Sequence, residues 1–216
     1  MSRPDICLSI GYVGFDEVID YLGKVHLAEI RIDLLDFSEA QLKTIFGKHN
    51  NLIATYRTDN NNYEKMVSML MLAMNSGCAY VDIDFDVPEI WREKITKRAK
   101  EFNKKLILSY HNFNETPQTD KLDDIIGKMF HCGADLAKLA CTANNNQDCA
   151  RMMSLNKKHK DLIAFSMGGL GVLTRFAAPI LGASFTYVSI PGKETAPGQV
   201  DYDTVESFLN KYLPLK

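Results

Sequence analysis

The chain has 216 residues, of which 46% are hydrophobic and 24% charged, and its formal net charge is −2. That composition belongs to a globular protein able to bury about 70% of its unfolded surface around one core. Lysine and arginine are scattered rather than massed in a stripe, so a nucleic-acid partner is not expected, and no run reaches the roughly 18 apolar residues of a membrane span. Small molecules are the expected partners. No linker or shift in composition divides the chain, and 1–216 is read as one domain. Five cysteines, odd in number and without a C-x-x-C pair, read as free thiols in a reducing compartment. The first six residues contain no apolar leader core, and a cytoplasmic location is expected.

Short apolar runs alternate with longer amphipathic ones throughout. A strand at 6–10 precedes a helix at 15–22, and a strand at 27–32 precedes a helix at 38–46 with Ser38 as its N-cap. Next come strand 52–56 with helix 63–76, closed by Gly77, and strand 80–85 with a helix whose first turn holds Pro88. Strand 106–110 pairs with helix 120–130, strand 136–140 with helix 147–157, and strand 162–166 with helix 170–177. Strand 185–190 and helix 202–213 finish the chain. Eight strand–helix units with short connections imply a parallel sheet, and this length suits a compact α/β fold of the (β/α)₈ type, a TIM barrel. A doubly wound open sheet is the alternative.

Alternation with period two sorts the side chains. Glu29, Arg31 and Asp33 share one face of the second strand, Asp82 and Asp84 one face of the fourth, Ser109 and His111 one face of the fifth. Lys138 opposes Ala137 and Leu139 in the sixth. The opposite faces, rich in Ile, Val and Leu, suit packing against outer helices, so the charged faces point inward. Barrel interiors are normally filled by branched apolar side chains. Charge at the C-terminal ends of several strands therefore marks a site at the barrel's top, which Arg57 and Ser9 join.

Lys138 interrupts the apolar run Leu136-Ala-Lys-Leu-Ala140, and lysine is rarely buried without a partner or a task. It reads either as a cation paired with Asp82 or Glu29, or as an amine nucleophile with His111 as its proton carrier. An unperturbed lysine is neutral in only about one molecule in a few thousand at pH 7, so attack on a ketone needs a site that favours the free amine. The stretch Asp82-Ile-Asp-Phe-Asp86 imitates a calcium loop but has Val87 at the turn glycine, and Gly169-Leu-Gly171 lacks the third glycine of a dinucleotide fingerprint. Neither a metal nor a cofactor is called for. Arg175, on the helix after the seventh strand, suits a substrate carboxylate, and 193–199, flanked by Gly192 and Gly198, reads as a lid.

In consistent order from Ser9 to Gln199, the chain resembles the type I 3-dehydroquinate dehydratases, the Schiff-base class of the shikimate pathway. The resemblance is carried by Glu29-Ile-Arg31-Ile-Asp33, Tyr56-Arg57, Tyr80-Val-Asp82, Ser109-Tyr-His111-Asn-Phe113 with Thr116-Pro117, Gly133-Ala-Asp-Leu-Ala-Lys138-Leu-Ala140, Ser166-Met-Gly168 with Arg175, and Ala196-Pro-Gly-Gln199. It implies a cofactor-free dehydration of 3-dehydroquinate to 3-dehydroshikimate, in aromatic amino acid biosynthesis, by a barrel that is usually a homodimer. Lys138 would form an imine with the ketone and His111 would act as general acid and base. Arg175 would bind the carboxylate, Glu29, Arg31, Arg57 and Gln199 the ring hydroxyls, and Ser9 and Met167 would line the pocket. Three positions depart from the family: Asp84 stands where Glu is usual, Thr195 in the lid where Ser is usual, and Tyr187 where Phe is usual. A fourth departure is Thr58-Asp-Asn-Asn-Asn62, which replaces a Glu-Gly-Gly segment whose Glu orients the histidine, so Asp82 is expected to orient His111 here. A class I aldolase would share Lys138 but act on phosphorylated or open-chain substrates. A catalytically dead relative would bind dehydroquinate without releasing product.

Overall fold

The computed structural model describes residues 5–58 and 61–213. The N-terminal residues 1–4, and Asp59 and Asn60 of the segment after Arg57, lie outside them. Eight strands alternate with eight helices: β1 Asp5–Ile10, α1 Phe15–Leu22, β2 Leu27–Arg31, α2 Glu39–Lys48, β3 Leu52–Thr55, α3 Tyr63–Ser76, β4 Tyr80–Asp84 and α4 Glu89–Glu101. They continue with β5 Lys105–Asn112, α5 Thr119–His131, β6 Leu136–Thr142, α6 Asn146–Lys158, β7 Leu162–Met167, α7 Val172–Ile180, β8 Phe185–Ser189 and α8 Tyr202–Tyr212. The strands pair in parallel in the order β7-β6-β5-β4-β3-β2-β1-β8, a nearly closed (β/α)₈ barrel. The open-sheet alternative is thereby set aside.

Local chemistry explains most boundaries. Ser38 accepts from the Gln41 amide while Gln41 Oε1 accepts from the Ser38 amide, a capping box that starts α2. Gly77 ends α3 at φ +116°, and a Cβ there would stand 2.9 Å from the Phe46 carbonyl oxygen. Three boundaries differ from expectation. The second strand stops at Arg31 and the chain turns through a 3₁₀ segment, Ile32–Leu34, so Asp33 is not a strand residue. Pro88 is the N-cap of α4 rather than part of its first turn. Beyond Ala177, α7 continues through Pro179, whose missing N–H costs little so near a helix end.

The barrel has two cores. An outer one, including Ile30, Val81, Leu108 and Leu139, meets the helices. An inner one begins with Leu27, Ile53, Ile107, Leu136, Ile163 and Phe185, which form an apolar floor. Two residues further along the same inward faces stand Glu29, Thr55, Asp82, Ser109 and Lys138, all buried. On β7 and β8 the equivalent positions are Phe165 and Tyr187. Charge thus enters the interior from β2 to β6, and the other wall is aromatic.

Parallel bonding stops between β7 and β8, which would leave backbone groups of β7 without partners in a buried seam. The loop before β8 and side chains of the neighbouring helices take them instead. Ser184 N–H donates to the Leu162 carbonyl at 3.2 Å. Asn156 of α6 donates to the Ala164 carbonyl at 2.7 Å and accepts from its N–H at 2.9 Å. Thr174 of α7 accepts from Ser166 N–H at 2.8 Å. Asn156 is 3% exposed, so truncation opens no route for water to replace it. Asn156→Ala is expected to destabilise the protein by about 2–4 kcal/mol, because two buried backbone groups lose their partners together. Thermal denaturation should show a midpoint lower by at least about 5 °C.

Candidate active site

Asp82 and Asp84, both inward on β4, serve different partners. Asp82 Oδ1 accepts from Arg57 Nη2 and from Ser109 Oγ, each at 2.7 Å, and Oδ2 lies 3.4 Å from Lys138 Nζ. Asp84 Oδ1 lies 2.8 Å from His111 Nδ1, and Oδ2 is 3.4 Å from Arg57 Nε. The expected contact of Asp82 with His111 is therefore corrected: Asp84 is the carboxylate that bonds the imidazole, and Asp82 lies beside the lysine. Strand register explains the division. Asp82 is level with Ile107 and Asp84 with Ser109, yet each carboxylate contacts the inward residue one step further along β5, as tilted barrel strands require.

Burial pushes the Asp82 carboxyl upward, but Arg57 and Lys138 outweigh it and hold it well below the usual range. Burial likewise opposes ionisation of Asp84, and Arg57 with His111 again wins. Arg57, itself desolvated, is held more firmly protonated by Asp82, Asp84 and Glu29. For His111 the balance falls the other way. Burial lowers its pKa below the ordinary histidine value, the bond to Asp84 restores only part, and Lys138 and Arg57 lower it further. The imidazole is thus neutral at neutral pH and able to accept a proton.

On the β1–β2 side, Glu29 accepts from Ser9 Oγ and from Thr55 Oγ1 at 2.8 Å. Ser9 Oγ also lies 2.7 Å from Thr195 Oγ1. Arg31 grips Asp33 with Nε and Nη2 and donates from Nη1 to the Thr195 carbonyl at 3.3 Å. Gln199 Oε1 accepts from Thr195 N–H at 2.8 Å. The 193–199 segment is therefore folded down over the barrel mouth. Its base approaches Gly168 closely: at Gly198, where φ is +69°, a Cβ would stand 2.7 Å from the Gly168 carbonyl oxygen.

Arg175 reaches the mouth from α7 and is fully buried. Its guanidinium sits 4.3 Å from the Phe165 ring centroid and donates weakly to the Tyr187 and Pro197 carbonyls, at 3.5 and 3.3 Å. Nε has no partner, and among the described residues no carboxylate pairs with Arg175. Burial alone lowers its pKa to about 10. A buried, charged group without an anion is costly, so this arrangement awaits one from outside.

These groups line a cavity of about 500 Å³, the size of a small-molecule site. Glu29, Arg31, Arg57, His111, Lys138, Met167, Arg175, Thr195 and Gln199 all face it. Ser9 does not: it is fully buried behind the lid, bridging Glu29 to Thr195. The cavity also has walls that sequence reasoning left out, chiefly Phe113, Phe165 and Asp86. Thr55 was missed as well, although it shares the inward face of Ile53 and Arg57 and alternation alone could have found it. Lys138 Nζ lies 4.2 Å from the centroid of the Tyr187 ring.

Fold and site together define a (β/α)₈ barrel that sets a buried amine and an imidazole in one cavity at the C-terminal ends of its strands. A family model described as type I 3-dehydroquinase matches residues 6–213. The 3-dehydroquinate dehydratase of Methanocaldococcus jannaschii is 32% identical across 93% of this chain and 96% of its own. That of Desulfotalea psychrophila is 30% identical across 98% of this chain and 100% of its own. The chain belongs to the type I 3-dehydroquinase family, a family of hydro-lyases. Solved structures carry the same fold. The type I 3-dehydroquinate dehydratase of Clostridium difficile superposes with a TM-score of 0.83 at 22% identity, covering 98% of this chain and 92% of its own. The Aquifex aeolicus 3-dehydroquinate dehydratase gives 0.79 at 24% identity, covering 97% and 99%.

The staple between Gln199 and Thr195 predicts its own loss. Gln199→Ala should speed hydrogen exchange at the Thr195 amide by about 2- to 10-fold, the worth of one such bond, while exchange in β1 stays unchanged.

Proposed function

We propose that this protein dehydrates 3-dehydroquinate to 3-dehydroshikimate through an imine on Lys138, within the shikimate pathway. The observation that carries this reading is Arg175, a buried guanidinium with no carboxylate partner among the described residues, in the same cavity as Lys138 and His111. A ring carboxylate supplies the missing charge and fixes the substrate's orientation. Family membership supports the substrate assignment.

In this mechanism Lys138 gives up one proton, its free amine adds to the substrate ketone, and that proton leaves with the carbonyl oxygen as water, giving an iminium. The iminium draws electrons from the adjacent carbon, whose proton passes to His111 and leaves an enamine. The enamine pushes out the hydroxyl on the carbon that bears the carboxylate, and His111 returns its proton so that the group departs as water. Water then hydrolyses the conjugated iminium, releasing the product and restoring Lys138. The iminium is the electron sink, so the scheme calls for no cofactor. Arg31 and Gln199, which hold the lid, and Glu29 on the cavity wall suit the ring hydroxyls, and the closed lid keeps bulk water from the imine. Arg57 is already engaged by Asp82 and Asp84, and its main task is to hold them.

The five free thiols, four of them buried, support a reducing, cytoplasmic setting. Among the described residues no helix is long and apolar enough to cross a membrane. Leu173 and Ile180, exposed and seven residues apart on α7, support a homodimer contact on that helix.

Steady-state turnover of 3-dehydroquinate tests the reading. Arg175→Met keeps the packing on Phe165 but removes the charge, and KM should rise by about 10- to 150-fold. The ligand-free variant should melt no lower than the parent, because an unpaired buried cation has been removed; a marked loss of stability would make Arg175 structural. The pH dependence has a defined sign. His111 works as a base only when unprotonated and its pKa is depressed, so the acid limb of kcat/KM should lie below about 6.5. A limb above about 7 would assign the base elsewhere.

A further inference from the structure

We propose that Asp84 is a positioning residue that fixes the tautomer of His111, placing the proton on Nδ1 and leaving Nε2 to exchange protons with the substrate. The inference rests on the dehydratase reading and specifies how its base is prepared. A neutral imidazole has one N–H, and a carboxylate at one ring nitrogen keeps the proton there. Asp84 Oδ1 stands 2.8 Å from Nδ1. Its other oxygen faces Arg57 Nε at 3.4 Å, which keeps the carboxylate charged and turned toward the ring.

No other described group is placed to do this. Asp82 is occupied by Arg57, Ser109 and Lys138. Asn61 lies in the segment where the resembled enzymes carry their orienting Glu, but its Oδ1 accepts from Tyr63 Oη at 2.8 Å, at the start of α3. Phe113 flanks the arrangement, its ring nearly parallel to the imidazole, 15° apart with centroids at 6.1 Å. The charged groups around His111 are then Asp84 from β4, Arg57 from the end of β3 and Lys138 from β6, with Asp82 behind them. Asp84 is the one among them that bonds the ring. When His111 takes the substrate proton on Nε2, the imidazolium carries both protons and Asp84 remains a carboxylate opposite the new charge.

The test is ring ¹⁵N NMR of His111 in the ligand-free protein, joined to kinetics of Asp84→Asn and Asp84→Glu. In the parent, His111 should show a protonated Nδ1 and an unprotonated Nε2 through neutral pH. In Asp84→Asn that preference should be lost and His111 should titrate at lower pH, because the contact that raised its affinity for protons is gone. With 3-dehydroquinate, kcat should fall by about 10²- to 10⁴-fold with KM within about threefold, the acid limb should move down in pH, and Asp84→Glu should recover part of the rate. A merely structural Asp84 would leave the tautomer and the limb where they were. Unchanged ¹⁵N shifts in Asp84→Asn, or a kcat within about threefold of the parent, overturns the proposal. The NMR result needs no substrate, so it decides this point even if the parent fails to turn over dehydroquinate, an outcome that would count against the dehydratase reading alone.

Discussion

The site depends on one guanidinium. Arg57 neutralises two carboxylates that burial would otherwise push toward their protonated forms, and those carboxylates hold the lysine and the histidine. Asp82 carries the Lys138 arm and Asp84 the His111 arm, so the proposed nucleophile and base are positioned from one strand by one cation. Without Arg57, two like charges two residues apart on β4 would face each other in a desolvated interior, and at least one would take a proton. Lys138 and His111 would then stand against neutral partners.

The charged upper storey needs a supporting lower one. Leu27, Ile53, Ile107, Leu136, Ile163 and Phe185 pack the barrel floor, and burial against the outer helices supplies the hydrophobic stabilisation that lets Glu29, Arg57, Asp82 and Lys138 sit inside. The paired charges are satisfied by one another, whereas Arg175 has no carboxylate partner among the described residues. That asymmetry separates scaffold from proposed binding site: the groups that hold geometry have charged partners, and the group proposed to recognise an anion has none among the described residues. The seam between β7 and β8 follows the same economy of polar groups, since Asn156 and Thr174 replace the missing strand ladder and leave Arg175 room to enter beside it.

Much of this was legible in the residues. Eight alternating units gave the barrel, period-two alternation put Glu29, Arg57, Asp82, His111 and Lys138 on inward faces, and a lysine inside an apolar strand set Lys138 apart as the candidate nucleophile. What alternation does not carry is register. Whether Asp82 or Asp84 meets His111 depends on the stagger between β4 and β5, set by the tilt of the whole barrel, and here the expectation chose the wrong aspartate. Ser9 shows a second limit, since its inward direction was readable but its burial beneath the lid depends on where Thr195 comes to rest. Asp33 shows a third: the alternating pattern Glu29-Ile-Arg31-Ile-Asp33 continues past the point where the backbone turns, and nothing in the pattern marks that turn.

The central claim is that Lys138 becomes covalently bound to its substrate. It is tested most directly by incubating the protein with 3-dehydroquinate and borohydride, measuring intact mass and mapping the modified peptide. The account predicts a stable reduced adduct on Lys138, absent when borohydride is omitted. A folded protein that binds 3-dehydroquinate yet forms no adduct on Lys138 would contradict it, leaving the buried amine as a structural partner of Asp82.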